Sequence, residues 1–203
     1  MKKIKAFVFD ADGVLIKSDF FFSQRFSEKY KIPYEKIMPF FEKEFRDCVV
    51  WKSDLKTVIL PYLKDWNWTW TLDEILQFWF ENENKIEQKI IDIIKRLRNK
   101  WYKCYLATNQ EKYRAEYMQN VMKIFDIFDD VFISCNIWYK KPHLEFYQTV
   151  YESILKNLDI RKDEILYIDD TKDNIDKAEY FGWKVYRYFE IYEFEKFVNN
   201  KII

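Results

Sequence analysis

Short apolar, β-prone runs alternate with amphipathic helical segments from residue 85 to the end of the chain. Runs that predict strands lie at residues 4–9, 103–108, 131–134, 165–168 and 183–186. The segments between the later runs carry apolar residues at the 3.6-residue spacing of a helix face. Strands that alternate with helices in this way predict an α/β fold, a doubly wound parallel sheet with helices on both faces.

Residues 18–84 interrupt this alternation, because they show helical patterns and no strand pattern. Thr71 and Glu74 fit a capping box, and the apolar residues after Thr71 recur on one helix face. Pro61 is expected to kink or end another helix. We therefore expect a Rossmann-like core domain made of residues 1–17 and 85–203, with an inserted helical domain at residues 18–84.

The charge balance excludes several classes of partner. Lys plus Arg and Asp plus Glu both number 34, so the formal net charge is +0, which argues against broad binding to nucleic acid or to an anionic membrane. No run approaches the roughly 20 apolar residues of a transmembrane helix. Asp10 and Asp12 interrupt the first apolar run too early for a signal peptide. We expect no nucleic-acid partner, no membrane association and a cytoplasmic protein.

Reactive side chains follow the strands of the expected sheet. Ligands of open parallel sheets bind outside the carboxyl ends of the strands, and the residues there are Asp10, Asp12, Thr108, Asn109, Lys140, Lys141, Asp169 and Asp170. Clustered carboxylates repel one another unless a cation joins them, and hard oxygen ligands indicate Mg²⁺. A divalent cation, a lysine and a small hydroxyl around one point suit a phosphoryl group.

Four short motifs resemble those of the haloacid dehalogenase superfamily of phosphohydrolases. They are FDADGV at residues 9–14, LATN at residues 106–109, KP at residues 141–142 with Phe146 in its expected place, and YIDDT at residues 167–171. All four occur in order and the resemblance covers the whole chain. It places the helical insertion where one subfamily has its cap domain, after the first motif.

The resemblance implies a role for each site residue. Asp10 would be the nucleophile that forms an aspartyl-phosphate, and Asp12 would protonate the leaving oxygen and then activate water. Thr108, helped by Asn109, would bind the phosphoryl group through hydrogen bonds. Lys141 would neutralise this group and hold the Asp10 carboxylate in place.

The resemblance also implies a Mg²⁺ ion held by the Asp10 carboxylate, the Asp12 backbone carbonyl and Asp170. The neighbouring Asp169 is the alternative ligand, and it could instead bind through water or orient Lys141. The adjacent pair of aspartates leaves both possibilities available, and we favour Asp170.

These residues predict a Mg²⁺-dependent phosphatase that acts on a small phosphorylated metabolite, as a monomer or homodimer. A phosphomutase or another phosphotransferase would carry the same motifs, and a non-enzymatic binding module could retain the fold. Trp66, Trp68 and Trp70 lie in a loop-like stretch of the insertion, where they could contact substrate, form an interface or pack internally. The sole histidine, His143, is expected at a helix start, on the surface or against substrate.

Overall fold

A single parallel sheet forms the core of the computed structural model, which describes residues 4–17 and 22–202. Its five strands lie in the order β3-β2-β1-β4-β5. They are β1 (Ala6–Phe9), β2 (Lys103–Thr108), β3 (Asp130–Ile133), β4 (Ile165–Asp169) and β5 (Lys184–Arg187). The chain moves outward from β1 to β3 and then returns to the other side of β1, so the direction of winding reverses between β1 and β4. The expected doubly wound α/β fold is confirmed.

Helices form the insertion and cover both faces of the sheet. In the insertion they are α1 (Phe22–Tyr30), α2 (Tyr34–Glu42), α3 (Glu44–Cys48), α4 (Leu55–Val58), α5 (Leu60–Asp65) and α6 (Leu72–Asn82). Around the sheet they are α7 (Gln88–Asn99), α8 (Lys112–Asn120), α9 (Ser134–Ile137), α10 (Leu144–Leu155), α11 (Lys172–Phe181) and α12 (Ile191–Lys201). None of these helices has the length and apolar character that a membrane span requires.

The strand side chains alternate between two hydrophobic layers, as the period of a strand requires. Phe7 and Phe9 of β1 pack in one layer with the isoleucines of α7. Ala6 and Val8 pack in the other layer with the aromatic residues of α10. Each buried valine, isoleucine or phenylalanine side chain contributes roughly 1.5–3 kcal/mol through the loss of its contact with water. This burial on both sides explains why the strands read as continuous apolar runs.

The helical insertion has an aromatic core of its own. The ring of Phe22 stacks on Trp79 with a centroid distance of 4.8 Å and on Phe26 with a distance of 5.0 Å. Trp66 is buried and its Nε1 donates to the carbonyl oxygen of Lys36 at 3.0 Å. Of the three tryptophans in the loop-like stretch, Trp66 therefore packs internally. The aromatic content of 21% is thus explained in part by this second core.

The insertion contacts the sheet domain through the first turn of α8. Arg114 is buried, and its guanidinium donates to the carbonyl oxygens of Phe80, at 3.0 Å, and of Glu83. The hydroxyl of Tyr113 donates to Asp54 Oδ2 at 2.7 Å. Because α8 follows β2, its first turn lies at the carboxyl edge of the sheet. These bonds therefore hold the insertion beside that edge.

Candidate active site

The carboxyl ends of β1, β2 and β4 bring the expected site residues together. Phe9 at the end of β1 is in register with the residues near the ends of both neighbouring strands. Asp10 therefore lies between Thr108, which ends β2, and Asp169, which ends β4. Lys141 approaches the same point from the loop that precedes α10, and its Nζ reaches Asp10 and Asp169.

Lys141 forms two buried ion pairs. Its Nζ lies 2.6 Å from Asp10 Oδ1 and 2.8 Å from Asp169 Oδ2. All three side chains are almost fully buried. Burial on its own would lower the pKa of Lys141, but the two carboxylates outweigh it and raise that pKa above its ordinary value. Lys141 is therefore a permanent positive charge beside Asp10.

The negative charge of Asp10 is disfavoured by its surroundings. Burial raises its pKa well above the ordinary value, Asp169 and Asp12 raise it further, and Lys141 offsets only part of the effect. The carboxylate is held in one orientation, because Asp10 Oδ1 accepts from Lys141 and from the backbone N–H of Ala11, the latter at 2.6 Å. A second cation at this point would keep Asp10 ionised.

The carboxylates suit a divalent cation. One ligand oxygen from each of Asp10, Asp169 and Asp170 lies within 4.8 Å of the others. Carboxylate oxygens are hard ligands of the kind that Mg²⁺ prefers, and the half-buried Asp170 leaves this cluster open to water. The residues present therefore fit the expected metal.

The two adjacent aspartates differ in their surroundings. Asp169 accepts hydrogen bonds from the Lys141 ammonium, the Tyr167 hydroxyl, the Thr171 backbone N–H and the Asn174 side chain. Burial acts to raise the pKa of Asp169, but Lys141 and these donors lower it overall. Asp170 is only half-buried, and burial and the charge of Asp169 raise its pKa. This contrast favours Asp170 as the direct ligand and Asp169 as the residue that orients Lys141.

Gly13 permits a close approach to Asp170 that another residue would prevent. Its φ is +82°, and a Cβ added to it would collide with the Asp170 carboxylate. Gly182 is a matched control, because its φ is +104° but its Cβ would meet only Lys162 at ordinary contact distance. A left-handed conformation costs an alanine about 1–2 kcal/mol.

We expect Gly182→Ala to lose about that much stability and Gly13→Ala to lose more, because it also displaces the Asp170 carboxylate. Urea unfolding of both variants measures the difference, and Gly13→Ala should in addition bind Mg²⁺ more weakly. Equal losses in the two variants, with unchanged Mg²⁺ binding, would show that the space beside Gly13 is immaterial.

Asn109 contacts the main chain of Lys141. Its Nδ2 donates to the carbonyl oxygen of Lys141 at 3.1 Å, and its Oδ1 accepts from the backbone N–H of Lys141 at 2.9 Å. Both polar atoms of the side chain therefore help to hold the Lys141 loop. The amide nitrogen has a second hydrogen, so the expected contact with the phosphoryl group stays a prediction.

Gln110 is a site residue that the sequence did not reveal. Its Nε2 lies 2.5 Å from Asp12 Oδ2 and 3.3 Å from Thr108 Oγ1. Asp12 itself is exposed. A neutral amide just after the second motif carries no pattern that marks it for chemistry, so only the three-dimensional contact identifies it.

Residues 4–182 match the model of a family of hydrolases, the haloacid dehalogenase-like hydrolases. The chain is also 26% identical over 96 residues to the sesquiterpene phosphatase astK of Aspergillus oryzae. That match covers 47% of this chain and 47% of the relative. The matched region therefore spans about half the length of this curated relative.

Solved structures share the fold at low sequence identity. A HAD family enzyme from Bacteroides thetaiotaomicron, in complex with magnesium and inorganic phosphate, has a TM-score of 0.79 at 20% identity and covers 95% of this chain and 98% of its own. A HAD-like family hydrolase from Porphyromonas gingivalis has a TM-score of 0.76 at 20% identity, and the match covers 98% of this chain and 99% of that chain. L-2-haloacid dehalogenase from Xanthobacter autotrophicus has a TM-score of 0.65 at 17% identity, and the match covers 98% of this chain and 84% of that chain. Because the family model spans most of the sequence, the chain belongs to the haloacid dehalogenase-like hydrolases.

Proposed function

We propose that this protein is a Mg²⁺-dependent phosphatase that hydrolyses a small phosphomonoester through an aspartyl-phosphate on Asp10. The observation that carries the proposal is the buried Asp10 carboxylate, which is paired with Lys141 at 2.6 Å and lies beside two further aspartates. The phosphatase relative and the neighbour crystallised with magnesium and phosphate support the same reaction class.

The metal would be held by the Asp10 carboxylate, the backbone carbonyl of Asp12 and Asp170. When bound, Mg²⁺ supplies positive charge that offsets the negative charge of the phosphoryl group and of the three clustered carboxylates. Lys141 adds a second positive charge, with its Nζ at 2.6 Å from Asp10 Oδ1.

In the first half-reaction, a carboxylate oxygen of Asp10 attacks phosphorus and the bond to the leaving oxygen breaks. Asp12 donates its proton to that oxygen, so the alcohol leaves neutral. The Thr108 hydroxyl donates a hydrogen bond to a phosphoryl oxygen. Lys141 holds Asp10 in line for the attack, because its ammonium fixes Oδ1.

In the second half-reaction, water attacks the phosphorus of the aspartyl-phosphate. Asp12, now ionised, takes one proton from this water. The bond between phosphorus and the Asp10 oxygen breaks, which releases inorganic phosphate and restores both carboxyl groups. A single residue thus acts first as the acid and then as the base.

The helical segment at residues 18–84 would serve as the cap over a core made of residues 1–17 and 85–203. It is held beside the carboxyl edge of the sheet by Arg114 and Tyr113. In this position it would exclude water and select the leaving group. The substrate would be a small phosphorylated metabolite.

Phosphate release from a panel of phosphomonoesters tests the proposal. The panel contains p-nitrophenyl phosphate, sugar phosphates and, on account of the named relative, a sesquiterpenyl monophosphate. We expect release with Mg²⁺, loss with chelator, and recovery when Mg²⁺ is restored. Transfer of phosphate to another hydroxyl without free phosphate would contradict hydrolysis, and Mg²⁺ binding without any turnover would contradict catalysis.

Substitution of the two adjacent aspartates separates metal binding from the orientation of Lys141. We expect Asp170→Asn to raise the half-saturating Mg²⁺ concentration by about tenfold or more. Asp169→Asn should lower kcat with a smaller change in the Mg²⁺ requirement, because it loosens Lys141. The exposed Asp173→Asn in the same region is the control. A larger Mg²⁺ effect in Asp169→Asn than in Asp170→Asn would reverse the assignment.

A further inference from the structure

The side chain of Gln110 contacts both Asp12, the proposed proton donor, and Thr108, whose hydroxyl is proposed to bind the phosphoryl group. Its buried side chain places Nε2 at 2.5 Å from Asp12 Oδ2 and at 3.3 Å from Thr108 Oγ1. We propose that Gln110 is a positioning residue that aims Asp12 at the leaving oxygen and Thr108 at the phosphoryl group. This inference rests on the proposed function, in which Asp12 protonates the leaving group.

The chemistry of the amide explains how one side chain can serve both neighbours. A glutamine nitrogen carries two hydrogens and only donates. The bond to Asp12 occupies Oδ2, so Oδ1 is the oxygen left to carry the proton to the leaving group. The bond to Thr108 occupies a lone pair of its hydroxyl, so that hydroxyl is free to direct its own hydrogen at substrate.

The exposure of Asp12 makes this restraint important. An exposed side chain samples several rotamers, and ordering it at the moment of reaction costs free energy. Gln110 is itself buried, so its bond to Asp12 is made by a group that the surrounding structure already holds in place. Preorganisation of this kind is expected to raise kcat more than it lowers KM.

Gln110 is held by a residue that also contacts the helical insertion. The backbone N–H of Gln110 donates to Ser134 Oγ at 3.0 Å, and this hydroxyl donates to the carbonyl oxygen of Val49 at 2.7 Å. Ser134 is fully buried and Val49 belongs to the insertion. The same hydroxyl therefore fixes the insertion and the main chain of the residue that orients Asp12.

A positioning role predicts a loss of activity that depends on the leaving group. Phenolate needs protonation more than p-nitrophenolate does, because the nitro group stabilises the negative charge of the latter. The two esters are otherwise close in size and shape. A defect in orienting Asp12 should therefore slow the hydrolysis of phenyl phosphate more than that of p-nitrophenyl phosphate.

Gln110→Met tests this prediction, because methionine keeps the length of the side chain and lacks the donor. We expect kcat for phenyl phosphate to fall by about tenfold or more, kcat for p-nitrophenyl phosphate to fall less, and both KM values to stay within about twofold. Gln119→Met, the same change at an exposed site on α8, is the control and should leave both rates unchanged.

Gln110→Leu is the second variant, should Gln110→Met fold poorly. Leucine removes the donor and adds no charge beside Asp12, so this variant should show the same selective loss on phenyl phosphate. Equal losses on the two esters, or none, in folded variants of an active enzyme would overturn the role of Gln110. A wild-type protein that hydrolyses neither ester, and no other member of the panel, would instead overturn the proposed function together with this inference.

Discussion

Asp10→Asn is expected to abolish phosphate release while the protein stays folded. An asparagine amide cannot act as the attacking nucleophile, so no covalent intermediate can form. Removal of a nucleophile typically lowers kcat by at least about 10⁴-fold. The substituted side chain has almost the same volume, and its carbonyl oxygen can still accept from Lys141 and from the backbone N–H of Ala11.

The stability of this variant follows from the pKa of Asp10, which burial raises well above its ordinary value. A carboxyl whose pKa is higher in the folded state binds more protons in that state. The free energy of unfolding therefore falls as the pH rises from the ordinary pKa of 3.8 through the raised folded value. Asp10→Asn removes the ionisation that causes this loss of stability. With both proteins in chelator at neutral pH, the melting temperature of the variant should equal or exceed that of the wild type.

The experiment compares phosphate release and thermal unfolding in the same preparations. Asp176→Asn is the matched control, because this aspartate is exposed and forms an ion pair with Lys172. It should retain wild-type activity. If Asp10→Asn turned over phosphomonoesters at the wild-type rate, Asp10 could not be the nucleophile and the mechanism would fail.

The fold could be predicted from the sequence because its signals are local. The strand at Lys103–Thr108 and the left-handed Gly182 at the end of α11 both occur where residue pattern and backbone preference placed them. The capping box of Thr71 and Glu74 is present in the structure for the same reason. In each case a few neighbouring residues determine the conformation.

Contacts between distant segments have no local signal in the sequence. Trp66 looked like a loop residue, yet its Nε1 bonds to the carbonyl oxygen of Lys36, which lies 30 residues earlier in the chain. Asn109 holds the main chain of Lys141, 32 residues later. Gln110 reaches Asp12 across 98 residues. Neither composition nor periodicity encodes such pairings, so the charged groups of the site could be predicted and the neutral groups that orient them could not.

Lys141→Met is expected to destabilise the fold by about 3–5 kcal/mol at neutral pH, the usual cost of removing one partner from a buried ion pair. Methionine fills most of the space of the lysine side chain, so packing changes little. The loss arises because Asp10 and Asp169, both buried, no longer share an ammonium. Catalysis should be lost as well.

The pH dependence of this loss identifies its cause. In the wild type the raised pKa of Lys141 contributes stability that is present below 10.5 and is lost as the pH rises through the folded value. The lowered pKa of Asp169 contributes stability that is present above 3.8 and is lost as the pH falls through the folded value. Loss of Lys141 removes the charge that lowers the pKa of both carboxyls and leaves the raising effect of burial. We therefore expect the variant to gain protons and recover stability as the pH falls.

Urea unfolding in chelator at pH 5 and pH 8 measures this effect. The difference between wild type and Lys141→Met should be larger at pH 8, because protonating the buried carboxyls of the folded variant costs more free energy the further the pH lies above their ordinary pKa of 3.8. The exposed Lys172→Met is the control and should change stability little at either pH. Adding Asp169→Asn to Lys141→Met should restore part of the lost stability, because it removes one of the two uncompensated charges. A loss that is the same at both pH values and is not relieved by Asp169→Asn would mean that Lys141 stabilises the site by packing and not by its charge.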